Sequence, residues 1–223
     1  FNGNVRASSV KEEDIKALKE AGLTHVWMGV ECGDEKVANE IFLRHTSNDT
    51  IHKAAQYFNK YGVKIISLNI MGLPVDNTFE VDLRTLDLNL KIKPAMASFG
   101  LLYPFPGTAV AKMAIASGHF VEDKNTVYLE SNKHSSMLTF KSKKEKMMIE
   151  NLQKLSGIVV DFPFLRSIVP FLCRLPFTKF YHFLFYLHLG YCHKIRLSPI
   201  KFRNIIKEIP IFFGYFKTLL NKT

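Results

Sequence analysis

Short apolar runs alternate with amphipathic stretches through the first half of the chain. Ser9 and Glu12 have the spacing of a capping box, Ile15 and Leu18 give a helical face, and Gly22 closes it. Residues 24–30 (T-H-V-W-M-G-V) form an apolar run of strand character, followed by a loop at 31–34. Helical patterns cover residues 35–43 and 50–61, the second with Ile51, Ala54, Ala55 and Phe58 on one face. Lys64–Met71 is again strand-like and ends in Gly72-Leu73-Pro74. Asn77 with Glu80 then starts a helix whose apolar face is Phe79, Leu83, Leu86 and Leu90. Residues 95–103 read as a strand, and a turn at 104–108 leads into a helix carrying Val110, Met113 and Ala114. With a short extended stretch at 4–8, these make four strand–helix units. Such alternation predicts parallel strands joined by crossover helices, an α/β fold.

From about residue 145 the pattern is helical only, with Met148, Leu152, Leu155 and Val159 spaced as one buried face. Pro163, Pro170, Pro176, Pro199 and Pro210 cut the remainder into short helices. Charge changes at the same place. Residues 1–140 hold 15 Lys and Arg against 16 Asp and Glu, whereas residues 141–223 hold 15 against 4. Of 28 aromatic residues, 15 lie in those last 83 positions, so the chain divides into a unit at 1–140 and a basic, aromatic-rich helical region at 141–223. The three cysteines, Cys32, Cys173 and Cys192, are too few for a disulfide framework and too far apart for a zinc or iron–sulfur motif. No basic-then-apolar leader opens the sequence, so a cytoplasmic, reducing setting is expected. Phe1 in place of Met points to a chain cut from something longer.

Ligands of parallel α/β sheets sit at the C-terminal ends of the strands, so the residues that follow each strand are the candidates. The first such run is Gly29-Val30-Glu31-Cys32-Gly33, in which glycines permit close backbone approach and Glu31 brings a carboxylate to the rim. A plain loop with Glu31 paired to a lysine reads equally well. The next is Gly72-Leu73-Pro74-Val75-Asp76, a tight turn with a second carboxylate; by itself it is no more than a helix entry. The third, Tyr103-Pro104-Phe105-Pro106-Gly107-Thr108, is either an anion site at a helix start or a stiffened turn capped by Thr108.

Taken in order, Arg6, Gly22, G-V-E-C-G, G-L-P-x-D and Y-P-F-P-G-T resemble the later part of a radical S-adenosylmethionine (radical SAM) core. They are most similar to the subgroup with a cobalamin-binding domain ahead of the core, where the runs read G-I-E-S-G, G-L-P-G-E-T and P-Y-P-G-T. The resemblance covers residues 1–120. It implies a partial TIM-type (β/α) barrel, of which this chain supplies the third to sixth strands, followed by the helical region. It also implies an enzyme that uses a [4Fe–4S] cluster to cleave S-adenosylmethionine to a 5′-deoxyadenosyl radical, for methyl transfer or oxidative rearrangement at an unactivated carbon. By motif match, Glu31 and Gly33 fall on the strand end that meets the nucleoside, and Ile70 and Gly72 on the strand near the adenine. Arg44 and Arg6 are weaker candidates for polar contacts.

The departures weigh as much as the matches. The family's C-x₃-C-x₂-C triplet is absent, so the cluster ligands, like the cobalamin domain, are expected in the N-terminal remainder of the same protein. Val75 replaces a glycine and Asn77 is an extra residue before Thr78, which reshapes the turn after Gly72. Catalytic residues are not identifiable, and no metal site is assigned to His134, His182, His188 or His193. The isolated chain is expected to bind no cluster and show no turnover. The basic tail reads first as a cap on the barrel, second as a peripheral membrane module, and last as a nucleic-acid binder, which no motif supports. Its aromatic content suggests an apolar or lipid-like small-molecule substrate. The rival reading of the whole is a non-catalytic scaffold whose tail docks to a membrane or a partner protein.

Overall fold

The computed structural model describes residues 1–121 and 133–197. Four strands, β1 (Asn2–Val5), β2 (His25–Glu31), β3 (Lys64–Met71) and β4 (Met96–Leu101), form one parallel sheet in the order β1-β2-β3-β4. Each step along the sheet is also a step along the chain, with helices α1 (Glu12–Glu20), α2 (Glu35–Phe42), α3 (Asn48–Lys60) and α4 (Thr78–Ile92) in the connections. α5 (Ala109–Ala116) follows β4, and then α6 (Lys143–Asp161), α7 (Val169–Cys173) and α8 (Thr178–Tyr191) make up the helical region. The α/β class with successive parallel βα units and a helical continuation is therefore observed.

Strand alternation sorts the sheet into two faces. One carries Val26, Met28, Val30 and Ile65, which meet Ile15 of α1, Phe58 of α3 and Ile92 of α4 in a shared core. Further along, Met71, Phe99 and Leu101 pack on Leu86 of α4 and on Ile149, Leu152, Leu155 and Val159 of α6. α6 thus extends the helix layer of the βα units rather than standing apart from it. Ile149, not Met148, is the fully buried residue one turn ahead of Leu152. Gln153 donates to the Phe99 carbonyl of β4 (2.8 Å), and Gly157 lets α8 approach, since a Cβ there would lie 3.1 Å from the His188 ring.

The opposite face reads in rows across the register: Asn4–Trp27–Ile66–Met96 at the bottom, then Gly29–Leu68–Ser98, then Ile70–Gly100. The bottom row is covered by Leu189, Cys192 and Leu197, because the chain wraps past β4 and runs beneath the sheet as a π-helical turn, Cys192–Leu197. Lys64 Nζ donates to the Arg196 carbonyl (2.5 Å) and Arg196 Nη1 to the Ala95 carbonyl (2.8 Å), fixing the turn at the N-terminal ends of β3 and β4. Gly29, Leu68, Ile70, Ser98 and Gly100 above it stay half-buried.

Several local expectations change. The first strand is Asn2–Val5, and Ser9 serves a 3-10 turn by donating to the Arg6 carbonyl, so no Ser9–Glu12 capping box forms. Glu12 instead accepts from Lys60 and Tyr61 on α3. Asn77 stands at the N-cap of α4 without a side-chain bond, and Thr78 closes the turn by donating to the Leu73 and Val75 carbonyls. The helix breaks expected at Pro199 and Pro210 lie outside the described residues.

Candidate functional site

Arg6, Glu31, Gly72 and Tyr103 all follow or end the C-terminal ends of neighbouring strands, so one rim of the sheet gathers the four. Glu31 is the most constrained of them. The register slips between Gly29 and Glu31, and Glu31 takes a left-handed backbone, φ 64°. A non-glycine residue pays about 1 kcal/mol or more for that conformation, and such strain collects where a side chain must be aimed rather than merely packed.

The aim of Glu31 is explicit. Its carboxylate lies 3.2 Å from Arg44 Nη1, and the same guanidinium donates to the Gly29 carbonyl at 2.9 Å. The partner is thus an arginine from the α2–α3 connection, not a lysine. Burial raises the Glu31 carboxyl above its ordinary value, and Arg44 offsets part of that rise. Gly29 sits directly beneath: a Cβ there would fall 2.7 Å from Glu31 Oε1 and 2.9 Å from Arg44 Nη1. An acceptor and a donor are therefore held together over a stretch of strand without a side chain, next to the half-buried Leu68–Ser98 and Ile70–Gly100 rows. That arrangement presents a paired acceptor and donor to a ligand at the strand ends.

Gly33 and Gly72 behave differently. Both are buried, and both backbone N–H groups are already committed. Gly33 donates to Thr85 Oγ1 (2.9 Å), and Gly72 donates to both oxygens of Asp82 (3.2 and 3.0 Å). Asn89, one turn on, exchanges bonds with Ser67 and Asn69 of β3. Asp82, Thr85 and Asn89 are spaced i, i+3, i+7, so one face of α4 carries a polar ladder that holds the ends of β2 and β3. Burial pushes the Asp82 carboxyl well above the usual range, against the lowering pull of the Gly72 N–H. The sequence gives the ladder away only as polar residues on the flank of the face Phe79, Leu83, Leu86 and Leu90. Leu83 and Leu90 are half-buried because α4 is packed by the sheet on one side and α6 on the other.

Ile70 pairs with Gly100 and packs against a cluster that includes Ile41, Leu73 and Leu102. Asp76 projects into solvent, and Lys141 donates to its carbonyl. Tyr103 and Phe105 are tilted on each other at 4.5 Å, and Thr108 caps α5 by accepting from Ala111 N–H. Arg6 is exposed at the end of β1. The structure thus joins Glu31 to Arg44, puts Ile70 on an adjacent row, and turns Gly33 and Gly72 into the core.

Residues 3–86 match the Radical SAM superfamily model. The match spans β1 to the middle of α4, including Glu31, Arg44 and the turn at Gly72. An "uncharacterized methyltransferase", PH0819 of Pyrococcus horikoshii, is 29% identical over 117 residues, 52% of this chain and 25% of that protein. The chain thus spans about a quarter of that relative's length. Coproporphyrinogen III oxidase (HemN) of Escherichia coli, described as a radical SAM enzyme, superposes with a TM-score of 0.46 at 17% identity, over 74% of this chain and 32% of that one. That likeness is too distant to bear on individual residues.

Radical SAM chemistry implies a [4Fe–4S] cluster, and the thiols of this chain do not fit one. Cys32, Cys173 and Cys192 are all buried, each in a different apolar cluster. Burial raises the Cys32 thiol to about 11 and the Cys173 thiol to about 12, the reverse of what a metal-bound thiolate requires. S-adenosylmethionine itself suits the rim better: Glu31 would accept from its hydroxyl or ammonium groups, and Arg44 would donate.

Of His134, His182, His188 and His193, the first three fall in two clusters. His182 stacks on Tyr186 (5.0 Å) beside His134. His188 bonds Asp161 (2.7 Å), and Asp161, His188 and Cys192 each bring a ligand atom within 4.8 Å of the others. Both Asp161 oxygens also accept from Arg196, at 2.6 and 2.9 Å, so a guanidinium already supplies the positive charge there.

Proposed function

We propose that this chain forms the later βα units of a radical SAM enzyme and that its strand-end rim holds the nucleoside side of S-adenosylmethionine. The observation that carries the reading is the left-handed Glu31, aimed with Arg44 over Gly29 at the C-terminal end of β2. In this reading Glu31 and Arg44 orient the polar edges of the cofactor and Ile70 packs beside its ring. Gly33 and Gly72, tied down by Thr85 and Asp82, keep the two flanking turns at fixed height. Bound there, S-adenosylmethionine supplies the reacting group for hydrogen abstraction or methyl transfer at an unactivated carbon. The Pyrococcus horikoshii relative, named a methyltransferase, supports the second outcome. The cluster thiolates, and any cobalamin domain, belong to sequence outside these 223 residues.

Reconstitution tests both halves of the proposal. With iron and sulfide, the 223-residue chain alone should show no cluster absorbance and no cleavage of S-adenosylmethionine. Joined to a radical SAM segment bearing the three-cysteine motif, it should bind labelled S-adenosylmethionine in equilibrium dialysis, with Glu31→Ala and Arg44→Ala each weakening binding about tenfold, the loss of one charged hydrogen bond. Turnover by the isolated chain, or unchanged affinity in both variants, overturns the reading.

A further inference from the structure

Helix α8 carries apolar residues on more than one side. Tyr181, Phe185 and His188 face α6 and the core, as the packing of a capping helix requires. The other side should then be polar. Instead Phe180, Phe183, Leu187 and Tyr191, spaced i, i+3, i+7 and i+11, are 56%, 36%, 38% and 46% exposed. These four lie within a narrow stripe along the full length of the helix.

The charge around this stripe has one sign. From residue 162 to the end of the sequence there are ten Lys and Arg and a single carboxylate, Glu208. Arg166 and Arg196 are spent on Asp87 and Asp161. Arg174 and Lys179 are exposed at the N-terminal end of the stripe, and Lys194 is exposed beyond its C-terminal end. Residues 198–223 add five Lys and Arg against one carboxylate, so the sequence supplies no acidic segment to pair with that charge. An aromatic stripe ringed by lysine and arginine is instead complementary to a surface with apolar depth and negative headgroups.

We infer that the exposed side of α8 docks in the plane of an anionic lipid bilayer, with Phe180, Phe183, Leu187 and Tyr191 in the headgroup–acyl boundary and Arg174 and Lys179 at the phosphates. Among the described residues no helix is long and apolar enough to cross a membrane, and α8, 14 residues long, fits a surface-lying role. The docking surface is formed by the helical region alone, so it stands or falls independently of the cofactor reading.

Co-sedimentation of the 223-residue chain with vesicles tests the inference. Binding is expected to vesicles of phosphatidylcholine with one-third phosphatidylglycerol at low salt, with release at high salt. Arg174→Glu and Lys179→Glu should each weaken binding by about fivefold or more. Leu187→Ser with Tyr191→Ser should abolish it while the far-ultraviolet circular dichroism and thermal midpoint stay within those of the parent chain. Three results overturn the inference: no sedimentation at low salt, equal binding to phosphatidylcholine alone, or a dimer in solution that the Leu187→Ser/Tyr191→Ser pair dissociates.

Discussion

The strand-bearing region, residues 2–116, and the helical region, residues 143–197, bury polar groups to different ends. In the first, the buried polar side chains of α4 are each spent on a backbone turn or a strand at the rim. In the second, Asn151 Oδ1, Gln153 Oε1 and His182 Nε2 are buried without a hydrogen-bond partner, and Lys154 reaches only backbone carbonyls. The first region also keeps its large apolar residues inside with few exceptions, whereas the second exposes Phe164, Phe171, Phe177 and Phe180 by more than half. A rim that holds backbone at fixed positions satisfies the polar groups of α4 that do so, although Asn39 Oδ1 on α2 is buried without a partner; a region built as a cover tolerates more such gaps and leaves apolar surface for something else to meet. The two can be separated by substitution.

The largest effect is expected at Gly33. A Cβ there would lie 2.3 Å from the Arg84 carbonyl oxygen and 2.6 Å from Thr85 Cα. These are backbone atoms of α4 and cannot yield, so Gly33→Ala must lift the 31–34 loop and break the bond to Thr85. A loss of about 3 kcal/mol or more in urea denaturation is expected. Gly29→Ala is the control: its Cβ meets only the ends of the Glu31 and Arg44 side chains, which can swing, and the cost should be about 1 kcal/mol. Equal losses in the two variants would erase the distinction between a turn locked by the ladder and a space left beneath a side-chain pair.

Asp82 comes next. Asp82→Ala leaves the Gly72 N–H unpaired in the core and opens a small cavity, at an expected cost of about 2–3 kcal/mol. Asp82→Asn retains an acceptor of the same shape and should stay near the parent at neutral pH. The sign of the pH dependence follows from the raised carboxyl: the folded chain holds a proton there more tightly than the unfolded chain, so stability declines as pH rises through the carboxylate range. That decline should vanish in Asp82→Asn.

The helical region has its own pH signature, of smaller size. Burial opposes the charged form of His188, but the bonds to Asp161 and Cys192 outweigh it and the group is raised to about 9. Its contribution is therefore complete below pH 6.5 and disappears as pH climbs through 9, a loss on the order of 1 kcal/mol after allowance for solvent screening. Lys154 acts in reverse: burial lowers it to about 8, with Glu150 offsetting part, so stability rises between about pH 8 and 10.5. Because the two windows overlap, the measurement is a difference. Thermal midpoints of His188→Gln and Lys154→Met, each subtracted from the parent across pH 6–10, should slope in opposite directions.

The strands and helices of the first region were legible because burial there follows the simple periods: the alternation in 24–30 and 64–71, and the Ile51–Phe58 face, survive as β2, β3 and α3. Rim residues were legible as well, since glycine and proline mark strand ends locally. What the sequence could not show was how those turns are held. Asp82 and Gly72 are ten positions apart and Thr85 and Gly33 fifty-two, and nothing in the spacing announces a buried polar bond at such range. Arg44 reads from the sequence as a weak candidate for polar contacts, and its pairing with Glu31 and the Gly29 carbonyl is not visible there for the same reason. The wrap of Cys192–Leu197 beneath the sheet was equally hidden, because its contacts to Lys64 and Ala95 join segments about a hundred residues apart or more.

The smallest and most discriminating effect is expected at Glu31 itself. A glycine adopts φ 64° without the steric cost that a glutamate pays there, so Glu31→Gly removes strain while deleting a half-buried ion pair with Arg44. The first change stabilises by about 1 kcal/mol and the second costs roughly as much or less, so the thermal midpoint should hold steady or rise slightly. If Glu31 were above all a structural clasp for the α2–α3 connection, losing the tie to Arg44 would cost more than the relieved strain returns, and the midpoint would fall. A variant that is at least as stable as the parent, yet binds S-adenosylmethionine about tenfold more weakly once joined to the three-cysteine segment, would mean that the strained backbone is kept for the ligand's sake.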